Sequence, residues 1–488
     1  MADHPVSHHT GSTPNGPGLA ALTMPDTTAD LLEMLAVWLP RQRWFPGRIA
    51  RLAGLVLVSD LPLQDGYPAL RHLIVEAQLP GGPARFQVPV GYRPRRSVPP
   101  SLHGAVIGHQ DDVACYDALH DPELGDVLLQ GISEQRLAGQ LRFVREPDGP
   151  SLTGHRRDGR LLGAEQSNTS LVFGDRAILK VLRRLFPGAN PDLEVADALA
   201  RLGSRQVAAP YGWIETYLDG EPVLLGVLSQ FMAGASDGWT LALASLRLLR
   251  AEPRQSAEPG RSYADEARLL GHATAELHRD LAQAFGTRAM TAAELAGLVG
   301  DMHRKLSDAI DQVGDLRRYE ARIRAAYDAV AQLGTPVEIQ RIHGDYHLGQ
   351  VLRASHGWVA LDFEGEPAVP LAVRRAPAPA LRDVAGMLRS FDYAARHELV
   401  GNHTTHAADA NDALDARKHA DADAASAWAR QCQDAFCAGY AAGGGADPAG
   451  HATLLRALTL EKAVYEVVYE YRHRPSWLPI PLDFVAAA

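Results

Sequence analysis

The hydrophobic pattern changes period near residue 240, and that change constrains the fold more than any other feature of the chain. Before it, apolar residues alternate in short runs bounded by Gly and Pro, as in "RHLIVEAQL" and "RFQVPVGY", the period of half-buried strands. After it, "YADEARLLGHATAELHRDLAQAF" sets Ala267, Leu270, Ala273, Leu277 and Leu281 at helical spacing,. A strand-rich half followed by a helix-rich half is an α+β chain.

Within the first half, residues 28–145 combine one short helix, "TADLLEMLAVWL", with a small mixed sheet, and further strands with one helix at 191–202 follow up to about 235. The chain divides accordingly into a disordered tail over 1–27, a first subdomain over 28–145, a second strand-rich region over 146–235 and a helical region over 236–488. Two interruptions fall in the last region. One is Pro-rich, 367–380; the other, 402–425, is an Ala/Asp/His segment with few large apolar side chains, expected to be a flexible insertion,.

With 488 residues, 46% hydrophobic and 22% charged, the chain has the composition of a soluble globular protein with real cores. A formal net charge of −10 argues against a nucleic-acid binder, which needs a positive field for phosphates. Three cysteines, Cys115, Cys432 and Cys437, are too few and scattered for a disulfide framework and read as reduced thiols of a cytoplasmic protein. No secretory signal and no apolar run approaching the ~18 residues of a membrane span are present. A monomer acting on a small molecule, with no nucleic-acid or membrane partner, is the expectation.

Chemistry enters at "RIHGDYHLGQ" (341–350) and "WVALDFEGEP" (358–367). Asp345 and Gln350 reproduce the offset of H-R-D-x-x-x-x-N with Gln for Asn, and Asp362 opens "DFE" at the end of an apolar strand. In protein kinases the first Asp accepts the substrate hydroxyl proton, the amide binds metal and the second Asp holds the bridging Mg²⁺. Phosphoryl transfer is mostly positioning and charge neutralisation, which calls for these hard oxygen ligands. The same logic demands a strand lysine and a helix glutamate upstream, met by Lys180 in "AILKVL" and by Glu194. "AEQSNTSLVFG" (164–174) is the expected turn over the phosphates, with Ser167, Asn168 and Thr169 as donors in place of a Gly-rich loop. "SQFMAGASDGW" (229–239) falls where a hinge between two lobes belongs, putting Gln230 and Met232 beside the nucleotide.

The motifs "WLPRQRWFPGR", "AEQSNTSLVFGDRAILKVLRR", "NPDLE", "SDGW", "HGDYHLGQVLR", "DFEGEP", "ALRDVAGMLRSFDYAA" and "EKAVYEVVYEYRHRPSWLPIP", in this order over about 34–482, resemble maltokinases, the actinobacterial enzymes that phosphorylate maltose at O1. The resemblance implies a bilobal protein-kinase-like fold, similar to aminoglycoside phosphotransferases. An N-terminal cap subdomain would precede a small β-rich N-lobe and a large, mostly helical C-lobe. It implies Asp345 as catalytic base, Gln350 and Asp362 as Mg²⁺ ligands with Glu364 nearby, Lys180 and Glu194 as the phosphate clamp, and ATP and Mg²⁺ as cofactors. Maltose 1-phosphate would feed α-glucan and glycogen synthesis. The chain departs from the family pattern in the 402–425 segment and at Tyr346, where Leu is expected.

On the acceptor side the expected residues are His343, His347 and Asp383, together with Tyr465, Tyr469, Arg472 and Trp477. The first three of this second group fall on one face of a helix, with Trp477 just past Pro475. Aromatic planes beside an Arg suit a sugar pocket. A kinase of the same family acting on glucosamine, giving glucosamine 6-phosphate, is the alternative. A non-catalytic kinase-like binding protein would have lost the base, the metal carboxylate or the lysine, and all three are present.

Overall fold

The computed structural model describes residues 28–46, 52, 54–147, 149–150, 152, 159–163, 167–251, 262–365, 369–402 and 412–487. The expected disordered tail, 1–27, lies outside them. Among the described residues no helix is long and apolar enough to cross a membrane.

Two antiparallel sheets build the first half. The strands Leu55–Gln64, Ala69–Leu79, Gly82–Pro94, Val113–Asp117 and Val106–Gln110 lie side by side in that order. The helix Thr28–Trp38 closes one face of this sheet, over a core that includes Leu35, Phe45 and Phe86. The second sheet has seven strands and runs from Leu137–Ala138 at one edge to Arg160–Leu162 at the other, with Ala177–Leu182 inside it between Glu221–Gln230 and Asn168–Phe173. Its edge strand Leu137–Ala138 and the next strand, Leu141–Arg145, come from the stretch assigned to the first subdomain, and Leu141–Arg145 pairs with Pro210–Leu218. Conversely Arg184–Leu185 pairs into the first sheet. The two units are therefore stitched together by exchanged strands rather than divided at residue 145.

A buried ion pair fixes that junction. Arg183, with 1% of its side chain exposed, donates to Asp117 Oδ2 at 2.5 Å and to Thr169 Oγ1 at 2.8 Å, and stacks 4.9 Å from the Trp44 ring. Breaking a buried pair leaves one charge without compensation. Asp117→Ala should therefore destabilise the protein by about 3–5 kcal/mol, seen as a lower urea midpoint. An unchanged midpoint would mean that the two sheets are held by other contacts.

The second half is helical. The helices Tyr263–Phe285, Ala292–Gln312, Glu320–Ala331, Leu381–Asn402, Asp412–Ala442 and Ala452–His473 surround one core that includes Leu277, Met302, Phe391, Phe436 and Val467. The flexible insertion expected over 402–425 is not what the structure places there beyond residue 411. Residues 412–425 open the helix Asp412–Ala442, and Ala425 is buried in the core; residues 403–411 lie outside the described ones. Ala is the strongest helix former, and small residues let this helix approach Tyr263–Phe285 closely. A Cβ on Gly439 would strike the Arg268 carbonyl oxygen, and one on Gly271 the carbonyl oxygen of Phe436.

Candidate active site

The strand Ala177–Leu182 alternates its side chains, sending Leu179 and Val181 into the core and Lys180 into the cleft between the lobes,. Lys180 Nζ meets three carboxylates there: Asp362 Oδ1 at 2.8 Å, Glu364 Oε1 at 3.0 Å and Asp192 Oδ2 at 3.1 Å. Burial works against the ammonium, but the three carboxylates overcome it and hold the Lys180 pKa well above its ordinary value,.

The helix carboxylate on Lys180 is Asp192, not the expected Glu194. Asn190 caps the helix Pro191–Arg201 by accepting from the Asp192 and Leu193 amides at 2.9 and 3.3 Å,. Asp192 in the first turn then faces the cleft, where its Oδ1 also accepts from the Phe363 amide at 2.8 Å. Residues two apart on a helix point to different faces, so Glu194 turns away and pairs with Arg341 at 2.9 Å and Arg375 at 2.6 Å. Asp192→Asn should raise the ATP KM or lower kcat by about ten- to a hundredfold, the worth of one charge-assisted hydrogen bond. Glu194→Gln should instead lower stability and leave the ATP KM nearly unchanged. The opposite pattern in the two variants would restore Glu194 to the clamp.

Asp362 follows the strand Gly357–Ala360 and sits at φ 64°, a left-handed conformation that a non-glycine residue keeps only where its surroundings enforce it. Gln350 Nε2 donates to Asp362 Oδ2 at 3.2 Å, so the amide orients the carboxylate. Ligand oxygens of Asp192, Asp362 and Glu364 all lie within 4.8 Å of one another, with Lys180 as their shared cationic partner. Burial, reinforced by Asp362 and Asp192, pushes the Glu364 pKa up; at Asp362 the Lys180 ammonium outweighs burial and pulls it down. Three converging hard oxygen donors fit a small divalent cation such as Mg²⁺.

Asp345 stands on the loop between the strands Glu338–Gln340 and Val351–Ala354. The loop backbone is held from below by Asp383, which is 1% exposed and accepts from the His343 and Gly344 amides at 2.8 and 2.9 Å. His278 Nε2 lies 3.1 Å from Asp383 and its Nδ1 2.8 Å from the Tyr440 hydroxyl. His343 is itself buried, its Nε2 2.7 Å from the Leu361 carbonyl. His343, expected on the acceptor side, is thus a positioning group for the loop, while Asp383 braces the loop and also faces the neighbouring cavity. His347 accepts from the Gly349 amide at 3.1 Å and places Nε2 3.9 Å from Asp345 Oδ2.

The immediate partner of Asp345 is Lys462, on the helix Ala452–His473, at 3.2 Å. Burial disfavours the Asp345 carboxylate, but Lys462, followed by His347 and His343, lowers its pKa below the usual value. Beside it opens a cavity of about 320 Å³ between the helices Ala292–Gln312 and Ala452–His473, with Lys305, Asp308, Glu461, Lys462, Tyr465 and Arg472 in its wall. Tyr469 and Trp477 do not line it. Tyr469 packs on Tyr465 and His473, and Trp477 lies 4.9 Å from the His397 ring, beyond the helix end. Lys462 and Glu461 were not among the expected residues; Lys462 precedes Tyr465 by one helical turn, and that spacing was the available signal.

On the nucleotide side, Gln230 ends its strand and Met232 follows in the segment leading to the helix Gly238–Ala251. Asn168 opens the strand opposite Leu182, and Ser167 precedes it, exposed. Thr169 belongs to the other face: its hydroxyl accepts from Arg183 at the sheet junction, so alternation removes it from the set of phosphate donors.

Residues 38–121 match the maltokinase N-terminal cap domain. Over 337 residues the chain is 32% identical to a glucosamine kinase of Streptacidiphilus jiangxiensis, covering 65% of this chain and 70% of that one. It is also 32% identical over 339 residues to a glucosamine kinase of Mycolicibacterium smegmatis (strain ATCC 700084 / mc(2)155), covering 67% and 78%. A solved glucosamine kinase in complex with glucosamine, ADP and inorganic phosphate superposes with a TM-score of 0.62 at 24% identity, over 95% of this chain and 99% of that one.

Proposed function

The chain belongs to the sugar-kinase family of these glucosamine kinases, and from that premise we propose that it transfers the γ-phosphoryl group of ATP to O1 of maltose. The reading is supported by Asp345 standing at the wall of a sugar-sized cavity, with a lysine and three carboxylates in the cleft of the same two lobes. Asp345 accepts the proton of the sugar hydroxyl. Lys180, aligned by Asp192, holds the nucleotide phosphates, and Asp192, Asp362 and Glu364 would hold Mg²⁺, which neutralises charge on the transferring group.

Maltose is favoured by how the cavity spends its charges. Glu461 is matched by Lys305 at 2.7 Å and Arg382 at 3.0 Å, Asp383 by backbone amides, and Asp345 by Lys462. Groups paired in this way suit an uncharged polyol, whose hydroxyls accept and donate in turn. Glucosamine is the second reading, favoured by the identity of the relatives and by Asp308, which has no partner among the described residues and could face an ammonium.

The two readings separate in one experiment. ADP release is measured with maltose, glucose and glucosamine, for wild type and Asp308→Asn. The proposal expects maltose to be the best acceptor and Asp308→Asn to leave its KM within about twofold, as for an exposed substitution. Turnover of glucosamine alone, with its KM raised in Asp308→Asn, would replace maltose by glucosamine.

A further inference from the structure

A second cavity lies outside the active site. It has a volume of about 530 Å³ and opens between the loop 202–206, the helix Tyr263–Phe285 and the turn joining the strands Val351–Ala354 and Gly357–Ala360. Each of these elements also serves the catalytic cluster from its other end. The loop follows the helix that carries Asp192. The hairpin begins directly after Gln350 and leads into Asp362. The helix supplies His278, which braces Asp383.

The floor of the cavity is already tied together. The Ala360 amide donates to the Gln206 carbonyl at 2.7 Å, Val207 bridges Ala360 in parallel, and Gln206 Nε2 donates to Glu276 at 2.8 Å. Arg353 is committed to Glu266, 2.6 Å away. Three ionisable lining side chains remain without a partner among the described residues: Arg205 on the loop, His356 on the hairpin turn and Asp280 on the helix; the buried Trp358 indole N–H in the wall has none either.

Two donors that can face an anion and one carboxylate that can only accept describe a ligand with two kinds of polar group. A phosphate suits Arg205 and His356. It offers nothing to Asp280, whereas sugar hydroxyls donate to a carboxylate and cannot satisfy an arginine and a histidine as an anion does. We propose that this cavity binds a phosphorylated sugar, distinct from the substrate and nucleotide of the catalytic cleft. Such a ligand bridges the loop behind Asp192 and the hairpin behind Asp362. It thereby favours the arrangement in which the two carboxylates converge on Lys180, by the differential affinity that any effector needs.

The test titrates glucose 6-phosphate into the protein by calorimetry with ADP, Mg²⁺ and an acceptor sugar at saturation, so that the catalytic cleft is filled. The acceptor is whichever of maltose and glucosamine drives ADP release, which makes the outcome independent of the choice between them. One equivalent of glucose 6-phosphate should bind. Arg205→Ala/His356→Ala, at two exposed positions, should weaken it by about tenfold or more, as expected for lost charge-assisted hydrogen bonds, with basal turnover unchanged. Inorganic phosphate should bind more weakly than the ester. Absence of binding at millimolar ligand, or equal affinity in the double variant, overturns the site; equal affinity for inorganic phosphate overturns the sugar as its ligand.

Discussion

Asp345→Asn should reduce turnover by about 10²- to 10⁴-fold, the usual contribution of a general base, while thermal stability and ATP binding stay close to those of wild type. The amide matches the carboxylate in shape and still accepts from Lys462, 3.2 Å away, but it cannot take the proton of the attacking hydroxyl. Lys462 also keeps Asp345 ionised against the cost of burial. With the Asp345 pKa held below its ordinary value, the base is ionised throughout the neutral range. Lys462→Met should move the acid limb of the kcat/KM profile upward, because the remaining neighbours, His347 and His343, compensate burial less well. Turnover of Asp345→Asn within a few-fold of wild type would remove this residue from the reaction.

The second large effect concerns the carboxylate cluster. Asp362→Ala should abolish measurable turnover, because it removes a member of the set formed with Asp192 and Glu364 and one of the three partners of Lys180. Chelation by EDTA should silence the wild-type enzyme, and Mg²⁺ or Mn²⁺ should restore it. Binding of Mn²⁺, followed by its paramagnetic relaxation of water, should weaken in Asp362→Ala independently of turnover. Full activity in EDTA would mean that the three carboxylates serve only to hold Lys180.

How much of this was legible in the sequence depends on what each inference required. Lys180 and Asp362, 182 residues apart in sequence, meet at 2.8 Å, because the order of lysine strand, "HGD" loop and "DFE" turn is a property of the chain itself. Assigning the helix carboxylate required the rotation of one helix. Asp192 and Glu194 share its first turn, and about 100° per residue separates their directions widely, so only the capped start at Asn190 decides between them. Thr169 failed for the equivalent reason in a strand, where a shift of one residue changes the face. Trp477 lies past Pro475, where the helix has ended, so no helical spacing relates it to the cavity. The 402–425 segment shows the limit of composition: few large apolar side chains suggest disorder, but an alanine-rich helix can pack closely through its backbone, as Gly439 does against Arg268,. Lys462 was hidden because its role depends on a contact between residues 117 positions apart.

The central claim is that a sugar hydroxyl presented to Asp345 receives the γ-phosphoryl group and that the sugar is maltose. Phosphorus NMR of the product formed from ATP, Mg²⁺ and an equimolar mixture of maltose and glucosamine tests it most directly. The account predicts an anomeric phosphate coupled to H1 of the reducing-end glucose of maltose, absent with Asp345→Asn. A 6-phosphate on glucosamine, with maltose recovered unchanged, would contradict it.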